Sequence, residues 1–428
     1  MATTASRFLR SDKSFHFNFP TIPRLIGFSL VMFFITMADS VMSYVSPVYI
    51  ESRVNNGTMM GILIGSSSFL GFFADLFIGK MFANKRYNFY VLWTILIGLL
   101  FPLVYWFFSP TILVLLMGMG VWGIYYELLE FSNFHFIHEY QDRSSHVRAW
   151  GVLQAFRSIA WMLAPIVSSS LLSQHVNLAF STAVGLFVFA MFAFLIFDST
   201  LPKKKHSPHE KEIKRTIWEE FTIWGVLLKK VWPVWLFTIV IYLVDATFWT
   251  TGAVLSEKLK EVHPYGSWLL SLYVVPFLFG GLVTKRLGDS FGKKRVAFFS
   301  GLFSGLLLIA AGLVSNVSAL LIVVFMSSVF TSIAIPEIMA TSEDFVGRLK
   351  FFGNDMVGLE RSAVSIAYVL GPVLAGYLAE TVGYQETFSV MGGILVFFSI
   401  ITLVFSPRKI RLPQRELATI LVKRIFKR

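Results

Sequence analysis

The chain has 428 residues, 55% of them hydrophobic and only 14% charged, with a net charge of +12 and no cysteine. A soluble domain carries roughly a quarter charged residues, so the composition excludes an ordinary water-soluble fold. The absence of cysteine excludes disulfides, thiolate metal sites and nucleophilic thiols.

The apolar runs are about 20 to 25 residues long, the length a helix needs to span a bilayer, whereas barrel strands are about half that and alternate. Helices also satisfy their own backbone polar groups in hydrocarbon. The expected fold class is an all-α polytopic membrane protein of twelve transmembrane helices, arranged as two pseudo-symmetric six-helix bundles. In chain order, a polar, basic N-terminal segment (1–24) has no cleavage site after the first apolar run, which therefore reads as a retained helix. Six spans follow near 25–50, 58–82, 89–108, 111–137, 150–172 and 178–197, making a first bundle at 25–198. A basic linker at 199–232 carries Ile217, Phe221, Trp224 and Leu228 on one helical face, which predicts an amphipathic helix lying on the membrane surface. The second bundle, 233–406, places spans near 234–255, 267–283, 297–314 and 319–340. A longer polar turn (341–359) precedes spans near 361–379 and 387–405, and the tail at 407–428 is strongly basic.

The two bundles repeat each other. Asp39 recurs as Asp245 at an offset of 206, and Glu130 as Glu337 and Pro165 as Pro372 at 207. Around the last pair the text itself recurs, as Ile159-Ala-Trp-Met-Leu-Ala-Pro165 and Ile366-Ala-Tyr-Val-Leu-Gly-Pro372. Twelve spans also sort the turns into two sets. One holds both termini, the linker and the basic turns; the other holds only Arg53, Lys258 and Lys260 of the 37 Lys and Arg. By the positive-inside rule both termini are expected in the cytoplasm, in an inner or plasma membrane whose anionic inner leaflet attracts the basic turns. The same distribution assigns the positive charge to lipid topology, with no nucleic-acid partner.

Six spans, a basic linker and six more resembles the major facilitator superfamily. The turn between the eighth and ninth spans, Lys285-Arg-Leu-Gly-Asp289-Ser-Phe-Gly292-Lys293-Lys294-Arg295, is similar to that family's G-x-L-x-D-R-x-G-R-R turn, keeping Asp289, Gly292, Lys293 and Lys294. The first-half turn, Gly79 to Arg86, keeps the positive charge and lacks the Asp. In the fifth span Ala160, Ala164 and Pro165, followed by Ser168 and Ser169, resemble the antiporter-associated G-x-x-x-G-P-x-x-G-G, and the eleventh span offers Ala367, Gly371, Pro372, Ala375 and Gly376. Small residues beside a proline let helices approach and bend, so helix packing alone explains them.

Ionisable residues inside a membrane are costly and mostly face a bundle interior or an aqueous cavity. Asp39 and Asp245, at the middle of equivalent spans, are therefore the candidates for proton coupling or for lining a substrate cavity; carboxylates satisfied by neighbouring hydroxyls or an indole are the structural alternative. Glu130 and Arg157 reach similar depth in adjacent spans, which predicts an ion pair that either gates or holds helices together. Glu127, Glu337 and Arg361 belong to the same inner-side set, and Asp75 reads as a proton relay or a lone charge. His135, His138 and Glu139 cluster at a helix end where such groups are usually solvated, so no metal site is expected. No G-x-x-x-x-G-K-[ST] loop is present, which argues against ATP-driven pumping, and no nucleophile–base spacing points to an enzyme. The expected function is secondary active transport of a small molecule by alternating access, proton-coupled, with no cofactor beyond the gradient, by a monomer. Export of small amphipathic compounds is the leading direction, with proton-coupled uptake of a sugar or other nutrient as the alternative; a membrane scaffold or enzyme is more distant.

Overall fold

The computed structural model describes residues 21–82, 85–141, 146–201, 217–349, 352–414, 416–417 and 419. The basic N-terminal segment to residue 20, the linker at 202–216 and most of the tail beyond 417 lie outside the described residues, as do the side chains of Lys285, Arg286 and Asp289. Among the described residues there are helices and turns but no strand.

The first half comprises α1 (Thr21–Val54), α2 (Gly57–Met81), α3 (Tyr87–Phe107), α4 (Ile112–Tyr140), α5 (His146–Leu172) and α6 (Val176–Thr200). Sequence chemistry fixes several starts. The Asn56 side chain accepts from the Met59 amide at 2.6 Å, and Thr111 caps α4 by accepting from Val114, each satisfying an amide that has no partner within the helix. Helices α1 and α6 outrun their expected apolar spans at both ends, α4 at its C-terminal end and α5 at its N-terminal end, because polar end residues extend a helix beyond hydrocarbon.

The second half holds the departures from expectation. The linker's amphipathic helix is not a separate surface element: α7 runs unbroken from Ile217 to Thr247. Its inward face is Ile223, Leu227 and Val231, all buried, while Phe221 is exposed. Continuity with the seventh span sets this rotation, so the predicted face is turned outward in part. A π-helical segment, Phe248–Gly252, leads from α7 into α8 (Ala253–Val262). The eighth span is broken as well, with a short 3-10 turn (Gly266–Trp268), then α9 (Leu269–Val274), then α10 (Phe277–Phe291) after Pro276. Proline has no amide to donate, which interrupts the ladder there. Among the described residues, eleven helices are long and apolar enough to cross a membrane, and Gly266–Gly280 is a shorter apolar stretch in the place of the remaining span. Next come α11 (Lys293–Ala311) and α12 (Val317–Leu349). The predicted polar turn at 341–359 is largely helical: α12 continues through Thr341, whose hydroxyl donates to the Glu337 carbonyl at 2.9 Å, and α13 (Gly353–Thr381) starts almost at once. Helix α14 (Glu386–Phe405) closes the order.

The apolar interior divides at the linker. One cluster draws on Ile223 to Leu417 and takes Tyr44 from the first half; another, within the first half, takes Val254 from the second. Small residues bring backbones into contact within and between the halves. In α4, a Cβ on Gly123 would lie 2.1 Å from the Ser67 carbonyl oxygen of α2. Across the halves, Gly57, Gly61 and Gly65 of α2 sit against Gly376, Pro372 and Val369 of α13; added Cβ atoms would approach those carbonyl oxygens to between 2.1 and 2.6 Å. Such seams replace the hydrophobic drive that lipid removes.

Because backbone cannot yield as a side chain can, Gly123→Ala is expected to lower stability by about 1–3 kcal/mol, read as a lower Tm in detergent. Gly151→Ala, where an added Cβ meets nothing within 4 Å, serves as the control and is expected to leave Tm unchanged.

Candidate functional site: paired carboxylates between the halves

Asp39 lies in α1 and Asp245 near the end of α7, and both are buried, at 2% and 9% exposure. A bare carboxylate in such a place is expensive unless donors face both oxygens. Asp39 has them from a single helix: the Trp122 indole donates to one oxygen at 2.9 Å and the Tyr126 hydroxyl to the other at 3.0 Å. Residues 122 and 126 are one helical turn apart, so α4 presents both to α1 on one face. Asp245 is held by two helices, with Tyr273 of α9 donating at 2.6 Å and Tyr368 of α13 donating to the other oxygen. Tyr126 and Tyr368 stand within electrostatic range of each other, so the two clusters meet where the halves meet. Hydroxyls and an indole thus satisfy both aspartates. This leaves the functional reading open, because each cluster closes inside its own half and survives relative motion of the two.

The predicted pair between α4 and α5 is present. Arg157 Nη1 donates to Glu130 Oε1 at 2.9 Å, and the guanidinium lies 5.1 Å from the Trp161 ring centroid. The Arg157 side chain is 7% exposed and that of Glu130 41%. Arg157 is also within electrostatic range of Asp39, which links the pair to the first cluster. Trp161 and Tyr368 occupy equivalent places in the recurring text, one flanking a buried cation and the other a buried carboxylate.

The remaining inner-side residues separate. Glu127 lies over Gly71 of α2, and Arg361 of α13 faces both Glu127 and Asp75 across the halves at electrostatic range. Glu337 is buried over Gly288, where an added Cβ would meet both carboxylate oxygens at 2.6 Å. Glu337 and Arg361 therefore serve different places, one within its half and one between halves. In the turn before α11, Gly292 has φ of +87°, the left-handed region that favours glycine. Lys293 pairs with Asp344 at 2.8 Å and Lys294 donates to Ser406 at 3.2 Å. The first half has a matching pair, Arg86 with Glu139 at 2.6 Å, and this hydrogen bond raises the guanidinium pKa further. Each basic turn is thus tied to the end of the second helix beyond it, whether or not the family Asp is present. His135 stacks on Tyr90 with centroids 4.5 Å apart, and His138 lies against Phe134 at 4.3 Å. Ala160, Ala164 and Ala367 are fully buried, Pro165 and Pro372 sit inside α5 and α13, Gly371 packs on Ala246, and Gly376 forms part of the α2 seam.

Sequence reasoning missed the donors Trp122, Tyr126, Tyr273 and Tyr368. A signal existed for the first two: with Glu130 they form a stripe at four-residue spacing on the fourth span. No comparable spacing announces Tyr273 and Tyr368, which come from different helices.

Residues 234–427 match the family model described as Major Facilitator Superfamily. Among curated proteins the chain is 27% identical over 152 residues to efflux pump FUB11 of Gibberella moniliformis, covering 35% of this chain and 24% of that one. It is 26% identical over the same length to efflux pump FUBT of Fusarium oxysporum, with equal coverage. The chain thus spans about a quarter of the length of the curated relatives it matches. Among solved structures, the nucleoside transporter NupG superposes with a TM-score of 0.72 at 12% identity, covering 90% of this chain and 100% of that one. A bacterial homolog of the human lysosomal transporter Spinster, inward-facing and unoccupied, superposes with a TM-score of 0.69 at 15% identity, covering 90% and 96%. At such identities the structural likeness speaks for the fold.

The Glu130–Arg157 pair is expected to be asymmetric in its defence. Glu130→Gln strands a buried cation, whereas Arg157→Met strands a carboxylate that water can reach. Thermal unfolding is expected to show the larger loss for Glu130→Gln, on the order of 1–3 kcal/mol, with much of it recovered in the double variant.

Proposed function

We propose that this chain is a member of the major facilitator superfamily, whose family model matches residues 234–427, and that it is a secondary active transporter that moves a small molecule across a membrane by alternating access. The carrying observation is the pair of buried carboxylates, one per half, whose aromatic partners meet at Tyr126 and Tyr368. Transporters built from repeats hold cargo and coupling ion near the bilayer midplane, where the repeats face each other.

In this reading Asp39 and Asp245 exchange protons. An ionised carboxylate accepts from both of its aromatic donors; a protonated one must turn one contact around or release it, freeing a tyrosine hydroxyl or the indole for cargo. Arg157, within electrostatic range of Asp39 and bonded to Glu130, passes a change of charge on Asp39 to the inner side of the first half. Arg361, facing Asp75 and Glu127 from the other half, draws the halves together at the linker end when those carboxylates are ionised. Net export of small amphipathic compounds is supported by the likeness to the two fungal efflux pumps and by the aromatic, acidic character of the site. Proton-coupled uptake of a sugar or other nutrient is the second reading, favoured by the pair of buried Arg157 with water-accessible Glu130, whose groups suit hydroxyl-rich cargo. The scarcity of cations in the turns away from the linker supports cytoplasmic termini in an inner or plasma membrane.

The test is reconstitution in liposomes with an inward proton gradient, following internal pH while pooled candidate compounds are added. Proton flux is expected only with particular pools. Asp39→Asn and Asp245→Asn are each expected to cut it by roughly two orders of magnitude, the scale of losing a positioned proton carrier. Wild-type vesicles that pass no protons with any pool would sink the coupling claim.

A further inference from the structure

Among the described Lys and Arg, those at the end of the molecule away from the linker are Arg53 in the last turn of α1 and Lys258 and Lys260 of α8. Cations are scarce there, so each invites the question of what it does. Arg53 lies over the ring of Tyr49, on its own helix, at 5.2 Å. The other two reach across the halves. Lys260 of α8 donates to the carbonyl oxygen of Ser169 in α5 at 2.6 Å and to its hydroxyl at 2.8 Å. Ser169 stands in the last turn of α5, where its carbonyl also accepts from the Ser173 amide at 3.2 Å and the helix end carries partial negative charge, so a cation docks there favourably. It is also the final position of the small-residue and proline motif in the fifth span, a place where the resembled pattern has glycine and no hydroxyl.

Beside it, the Tyr44 hydroxyl of α1 donates to Glu257 of α8 at 2.7 Å, and Glu257 lies 3.7 Å from Lys260. Lys258 completes a second prong: it is 3.7 Å from Glu51 of α1 and 3.7 Å from the Tyr384 ring centroid, while Tyr384 donates to Glu51 at 3.1 Å. The platform for both prongs is rigid, since a Cβ on Gly266 would lie 2.3 Å from the Leu259 backbone, leaving the turn after α8 seated on the helix itself. The two residues that each interior cluster takes from the opposite half, Tyr44 and Val254, lie in this same zone.

We propose that Lys258, Glu257 and Lys260 of α8 form a latch that holds the end of the molecule away from the linker shut, by docking on the C-terminal turn of α5 and on Glu51 and Tyr44 of α1. The latch rests on the alternating-access reading for its purpose, but its test reads accessibility and needs no substrate. Opening this end requires Lys260 to leave the end of α5 and Lys258 to leave Glu51. Loss of the latch therefore shifts the population toward the opposite-facing state without touching the aspartate clusters.

Because the chain has no cysteine, Val254→Cys places a single thiol beneath the latch, at 2% exposure in the native residue and about 13 Å beyond Asp245 along the helix. Labelling with an impermeant maleimide is compared with and without Lys260→Met in the purified full chain. The expected result is an acceleration on the order of tenfold, the weight of one charge-assisted hydrogen bond, with a further rise when Lys258→Met is added. Ser169→Ala, which keeps the carbonyl, is expected to have a smaller effect. An unchanged rate in the folded double variant would overturn the proposal. Should Lys260→Met fail to fold, the milder Lys260→Gln is labelled in its place: an acceleration supports the latch, and an unchanged rate overturns it. A folded protein that labels as expected but transports nothing would count against the transport reading and leave the latch standing.

Discussion

A charge inside hydrocarbon keeps its ionised form only while polar atoms face it, and the architecture follows from how this chain meets that demand. Asp39 and Asp245 each set both carboxylate oxygens against aromatic donors. Arg157, more deeply buried than its partner, depends on Glu130 and the Trp161 ring. Each of these contacts is made inside one half, so these mid-depth charges are satisfied without the other half. The acid groups can therefore sit at the interface of two bodies without fixing them to each other.

What joins the bodies is of a different kind. At Gly57, Gly61 and Gly65 the seam between α2 and α13 sets glycine against backbone carbonyls, and it gains its strength from close approach. Polar contacts then fasten the end away from the linker, with Glu380 of α13 accepting from Asn56 at 2.7 Å and from the Thr58 amide at 3.1 Å at the start of α2. Surfaces of this kind slide or part without exposing buried charge. A glycine-lined seam with polar contacts at its two ends suits a molecule whose halves move.

The internal repeat made much of this legible. Asp39 and Asp245 were visible as carboxylates at equivalent depth, and the Glu130–Arg157 pair followed from residue counts along two adjacent helices, since rise per residue fixes depth. Arg361 was harder. Its depth in α13 matches that of Glu337 in α12, yet its charged neighbours Asp75 and Glu127 belong to the other half, and only packing across the seam brings them near. The donors to Asp245 come from two helices whose rotations no local pattern reveals. The polar stretch after the tenth span reads as a turn from its polarity alone, whereas Thr341 satisfies its hydroxyl by bonding back along its own helix.

By itself the sequence determined the all-helical membrane class, the twofold internal repeat, the order of spans and the residues that bear charge at mid-depth, because each depends on composition, run length or distance along a helix. Only the tertiary structure decided which way those residues face. The π-helical segment at Phe248–Gly252 is the clearest case. One extra residue in a turn rotates everything beyond it by about 100°, and this rotation sets which face Glu257, Lys258 and Lys260 present to the other half. Helical periodicity carries no trace of such a segment, since its geometry comes from packing between helices and not from the preference of any residue in it.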